Sequence, residues 1–197
     1  MARCDVVAGG DALPGLALVA AVLLSSCGGA NPDAQSPVRV LPPYLGHATE
    51  LFDDGIEPTA VGFPLDPSDS PLADTRVRER TQTGDAVVRA RVRTVTSKVE
   101  GGRRSWQLGL RVLDHLAGSG PLDPDFTLSV LPSDPAAGIV RGFEAGLIGK
   151  TFIVFVREFS HAGALPGDPG DLRYHVAGET PDELGAVRAA VLLDRVR

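Results

Sequence analysis

The sequence predicts a mainly β domain: a small antiparallel five-stranded barrel with a C-terminal helix and a short helix before the first strand. Three stretches carry that expectation. Residues 86–96 alternate, with Val88, Ala90 and Val92 on one side and Arg89, Arg91 and Arg93 on the other. Residues 151–156 (TFIVFV) are apolar on both faces, as a central strand must be. Near the end, Thr180-Pro181-Asp182-Glu183 spells a capping box with proline at the first helical position, followed by Leu184, Val187 and Val191 at helical spacing.

Ahead of these lies a different kind of chain. Residues 12–24 (ALPGLALVAAVLL) form an apolar run of the length of a secretory h-region, too short to cross a hydrocarbon core of ~30 Å as a helix. It ends in Leu24-Ser25-Ser26-Cys27. Those four residues resemble the lipobox of bacterial lipoprotein precursors, which sets an apolar residue three before a cysteine with small residues between. The resemblance implies that residues 1–26 are a signal peptide, cleaved before Cys27, and that the Cys27 sulfur carries a diacylglyceryl group. It also implies a lipid-anchored cell-envelope protein whose membrane partner is reached through acylated Cys27. Gly28, where inner-membrane retention favours aspartate, implies the outer membrane in a cell that has two.

Residues 27–46 hold four prolines and little apolar periodicity, and read as a tether. Residues 47–84 read as an acidic extension. Phe52, Ile56, Val61, Phe63 and Leu65 are expected to anchor it, with its carboxylates outside. Within it Ser70-Pro71 is expected to open a short helix reaching Gln82, with Gly84 at its C-terminal turn. Residues 85–197 hold the β domain. After the alternating strand, Gly101-Gly102 marks a hairpin turn. Trp106, Leu108, Leu110 and Val112 line a second strand, 126–130 is a short third, and a loop carrying Gly138, Gly142 and Gly146 leads to the apolar fourth. The fifth strand is 172–176. Four Asp-Pro pairs fall between elements as turn punctuation.

Five strands and a terminal helix suit an OB-like barrel. Over 85–197 the order of strand pair, glycine-rich loop, GKTFIVFVREF, short strand and helix is similar to netrin-like and tissue-inhibitor-of-metalloproteinase-like barrels. That resemblance implies an inhibitor-like module acting on an envelope enzyme. It departs in lacking their disulfides and free N-terminal cysteine amine.

Composition narrows the chemistry. The chain has 197 residues, a formal net charge of −6 and two cysteines. Cleavage discards Cys4 and lipid consumes Cys27, so no thiol catalysis, disulfide or cysteine-ligated metal is expected. The acidic balance argues against a nucleic-acid partner. Gly149-Lys150-Thr151 lacks both the upstream glycine and the following helix of a P-loop. Asp53, Asp54 and Glu57 lack calcium-loop spacing, so no metal or cofactor is expected. Four histidines are scattered, and Asp114-His115 near Ser119 and Glu158 with His161 match no catalytic or metal motif. The function expected is non-catalytic binding or scaffolding, with Arg89, Arg91 and Arg93 as a face for an anionic glycan, lipid headgroup or acidic protein. The same arginines can instead pair with the chain's own acids. The enzyme alternative is an envelope hydrolase using His115 or His175 with nearby carboxylates.

Overall fold

The computed structural model describes residues 39–64 and 70–194. Leu24-Ser25-Ser26-Cys27 and Leu65 lie outside that set. The described elements are α1 (Ala48–Leu51), β1 (Gly55–Ile56), a 3-10 turn (Pro58–Val61), α2 (Thr75–Thr83), β2 (Ala86–Glu100), β3 (Arg103–Ala117), β4 (Asp125–Val130), α3 (Ala136–Leu147), β5 (Thr151–Phe159), β6 (Asp171–Gly178) and α4 (Pro181–Asp194).

The five expected strands exist, but they do not close. They form a six-stranded sheet in the order β1-β6-β5-β2-β3-β4, antiparallel throughout except that β1 runs parallel to β6. The expectation of a closed OB-like barrel is therefore corrected to a mixed α/β fold with an open sheet. The likeness to netrin-like and tissue-inhibitor-of-metalloproteinase-like barrels falls with it. The physical reason is the edge of β6. Gly55 and Ile56 pair with His175 and Val176, so the edge that closure would offer to β4 is already taken.

The sheet still curls. Tyr174 on β6 donates its hydroxyl to the Ser129 carbonyl on β4 at 3.2 Å, although four ladder steps separate the two strands. Laid flat, those steps would span about 19 Å. A side-chain bond thus bridges a seam that no backbone ladder seals.

Both faces of the sheet are covered near its centre. Val88, Ala90, Trp106, Leu110 and Val154 pack with Ala137 and Val140 of α3 on one face. Val87, Ile153 and Phe155 pack with Val77 of α2 and Val187 of α4 on the other. This explains why 151–156 is apolar on both sides.

Three local expectations need correction. The glycine-rich stretch before β5 is helix α3, kinked at Phe143, because burial of Ala136, Ala137, Val140 and Leu147 outweighs the poor helix propensity of its glycines. Helix α2 starts at Thr75, capped by the Asp74 carboxylate on the Arg76 N–H at 2.8 Å, rather than at Ser70-Pro71. Gly84 is extended rather than left-handed. Glycine suits it because a Cβ there would meet the Arg80 carbonyl oxygen at 2.8 Å. The hairpin turn is as expected. Gly101 and Gly102 have φ of 56° and 77°, the two positive values that a tight two-residue hairpin requires.

Candidate functional site

Charged side chains gather in two places, one inside the fold and one outside. The inner group is built by the shortest strand. β1 pairs Gly55 directly with His175, so the residues flanking β1 are carried to either edge of the imidazole. Asp53 Oδ1 lies 2.8 Å from Nδ1 and Glu57 Oε1 lies 3.0 Å from Nε2. Asp53 also accepts the Gly55 N–H at 3.0 Å, and Glu57 accepts the Thr59 hydroxyl at 3.1 Å. From α2, Arg80 is 3% exposed and donates Nε to the Leu51 carbonyl at 2.7 Å. From α4, Glu183 is also 3% exposed, and its Oε1 has no hydrogen-bond partner among the described residues.

The electrostatics of this group are self-consistent. Burial opposes charge on His175, but hydrogen bonds to Asp53 and Glu57 outweigh it and hold the imidazole above its usual pKa. Burial likewise opposes charge on both carboxylates, and the bonds to His175 reverse it, holding Asp53 and Glu57 below the ordinary carboxylate range. Glu183 has no such compensation. Burial, with Glu57 nearby, pushes it up to about 7. With Glu183 neutral, Asp53 and Glu57 balance Arg80 and His175. In that protonation state the cluster carries no net charge, with Arg80, His175 and Glu183 buried and Asp53 and Glu57 half-buried.

That geometry limits its chemistry. Both ring nitrogens of His175 face carboxylates, so the protonated ring donates twice and keeps no lone pair for a substrate proton. The two carboxylates lie on opposite sides of the ring and do not converge on one ion. Among the described residues no group of three or more metal-ligating side chains assembles. Next to the cluster, Asp54 holds a left-handed backbone (φ 53°), which aspartate tolerates better than most residues. Its carboxylate accepts Arg173 Nη1 at 2.6 Å and the Tyr174 N–H at 3.1 Å, and its carbonyl accepts the Ala136 N–H at 3.2 Å. One residue ties β1, β6 and α3 together. Of the carboxylates expected outside, Asp54 is buried and Asp53 and Glu57 are half-buried, and all three hold the fold.

The outer group is the arginine row. Arg89 is committed: Nε bonds Glu179 at 2.7 Å and Nη1 bonds Asp114, which sits opposite it in the β2–β3 ladder. Arg111 forks onto Asp125 at 2.9 and 2.6 Å. Arg91 and Arg93 are exposed and make no ion pair among the described residues. Arg93 is the extra residue of a β-bulge between the pairs Val92–Leu110 and Thr94–Gly109. The alternation therefore resets, and Val92 and Val95 both turn to the core.

The remaining histidines stand apart from one another. His115 lines a depression of about 330 Å³ with Thr81 and Asp194 but forms no bond to a carboxylate, and its neighbour Asp114 is held by Arg89. Glu158 bonds Arg39 at 2.7 Å rather than joining His161. His47 bonds Glu79 at 2.5 Å and Glu50 at 3.2 Å on the surface. Lys150 precedes a strand, so Gly149-Lys150-Thr151 cradles no phosphate on a helix.

No protein-family model and no curated protein matches the chain. The site is therefore read from its own chemistry.

The sequence pointed to the arginines, to His175 with nearby carboxylates and, separately, to Asp53, Asp54 and Glu57, but nothing in it joined these carboxylates to His175 or placed Arg80 and Glu183 beside them. Glu183 was hidden in the capping box. Thr180 does accept the Glu183 N–H at 3.1 Å, but the Glu183 side chain turns into the core instead of reaching back. A glutamate at the third helical position beside an apolar stripe was the one available signal.

Proposed function

We propose that the protein is a lipid-anchored cell-envelope module that binds or scaffolds an anionic partner without catalysis. Cys27 provides the anchor, in the outer membrane where there are two, and the exposed arginines of the β2–β3 hairpin provide the contact. One observation carries the reading. With Arg111 held by Asp125 and Lys98 paired with Glu100 at 2.6 Å, the hairpin still presents Arg91, Arg93, Arg103 and Arg104, none of them in an ion pair among the described residues, in a chain of net charge −6. Such local reversal of the overall sign focuses field on anionic ligands. Arg89, already paired twice, positions the strand and is not part of the contact. Arg91 and Arg93 remain of the original three.

Fractionation tests the anchor: Cys27→Ser should move the protein from membranes to the soluble fraction and abolish fatty-acid labelling. Unchanged partitioning defeats the lipid assignment. For the contact, Arg91→Ser combined with Arg93→Ser should lower recovery of co-purified partners from solubilised envelope at least tenfold. Equal recovery from both proteins sinks the arginine reading.

A further inference from the structure

Strand β2 changes neighbours along its length. From Val87 to Arg91 it is laddered on both sides, to β3 and to β5. Val92 makes the last bonds toward β5, donating to the Lys150 carbonyl at 3.0 Å and accepting the Gly149 N–H at 2.9 Å. From Thr94 to Glu100 β3 is its one strand partner among the described residues. The other side of that segment presents main-chain donors and acceptors to which a further strand can add. Apart from half-buried Val95, its side chains are exposed.

Three observations select the occupant. First, the edge is basic: Arg91 and Arg93 lead into it, and Arg103 and Arg104 stand at the tip. A second copy of this chain, edge to edge, would set arginines against arginines. Second, the domain is entered at the far end. Arg39 is held to Asp85 at 2.6 Å and to Glu158 at 2.7 Å, immediately before β2 begins. Fifteen strand residues place the hairpin tip about 50 Å from that entry. The basic tip is thus remote from the point at which the chain joins the domain. Third, main-chain donors and acceptors repeating at strand spacing match the backbone of an extended polypeptide, group for group, as they match no glycan or lipid headgroup.

We infer that the free edge of β2 over residues 94–100 takes an extended acidic segment of a partner protein as an added strand. The new main-chain bonds set its register, and its carboxylates meet Arg91, Arg93 and the tip arginines. This rests on the proposed reading of the hairpin as the contact surface and names the partner's chemistry.

The test uses the full lipidated chain in neutral phosphatidylcholine nanodiscs. The probe is a labelled ten-residue peptide of alternating glutamate and valine, followed by fluorescence anisotropy and amide hydrogen exchange. A control peptide of equal charge carries proline at two of the valine positions and cannot ladder. The alternating peptide should bind at least tenfold tighter than the control. It should slow exchange at residues 94–100 and lose at least tenfold in affinity to the Arg91→Ser, Arg93→Ser double variant. Equal binding of the two peptides, or slowed exchange confined to other strands, overturns the inference. If neither peptide binds while heparin or phosphatidylglycerol vesicles do, and the double variant abolishes that binding, the added strand is wrong and the anionic contact stands. If none of these probes binds, both fall.

Discussion

The two ends of β2 differ more than their sequences suggest. At the near end Ala86, Val87, Val88 and Ala90 are buried, with α3 packed on one face of the sheet and α2 and α4 on the other. At the far end every residue from Thr96 to Glu100 is exposed and, among the described residues, the strand has one neighbour instead of two. Both ends are β-branched and alternating. What separates them is coverage: where helices lie over the sheet a charge has to be neutralised internally, and where they do not a charge can await a partner. The inner cluster and the arginine row are the two outcomes.

The sharpest way to break this contrast is to unbalance the covered end. His175→Ala leaves half-buried Asp53 and Glu57 without their shared donor, and because both carboxylates keep some contact with water the cost should be about 2 kcal/mol, below that of breaking a fully buried pair. Thermal unfolding should show a loss of that order, whereas Thr96→Ala at the open end should stay within about 0.5 kcal/mol. Comparable losses at the two positions would erase the distinction.

A pH series sharpens the same contrast. The folded pKa of Glu183, about 7, lies above the ordinary unfolded glutamate value. The native state then holds the extra proton, so this group's contribution to stability falls as pH rises from about 4.5 to about 7 and is level beyond. Glu183→Gln keeps the neutral shape at every pH. Relative to the variant, the wild type should lose roughly 3 kcal/mol between pH 4.5 and pH 8, read from denaturant midpoints. A pH-independent difference would remove Glu183 from the account. Smallest is the turn: Gly102→Ala, at φ 77°, should cost about 1 kcal/mol and fray the hairpin, seen as faster amide exchange near the tip.

These elements also show what a sequence can carry. β2, β3, β5 and α4 were legible because each announces itself through its own period, and Gly101-Gly102 through the φ values it permits. β1 was not, since two residues have no period. Gly55 and Ile56 are a strand because β6 offers them an edge. Helix α3 was masked by Gly138, Gly142 and Gly146, whose low propensity is overridden by contacts that local reading cannot see. Closure was misjudged for the same reason: strand count says nothing about which edge is already occupied. At the site, the position of the arginine row could be read directly. That Arg89 is spent on Glu179, 90 residues away, could not.

The distance along the chain between Asp53 and His175 has a consequence for assembly. Their contact spans 122 residues, and Glu183 follows later still. A chain delivered N-terminus first presents Asp53, Asp54 and Glu57 when Arg80 is the only cation of the cluster yet to arrive soon after. β1 has no ladder to join until β6 emerges, and closing so long a loop is slow. The inner cluster therefore completes only after β6 and α4 have emerged, so the ion pairs that tie β1 into the sheet are among the last contacts of the fold to form.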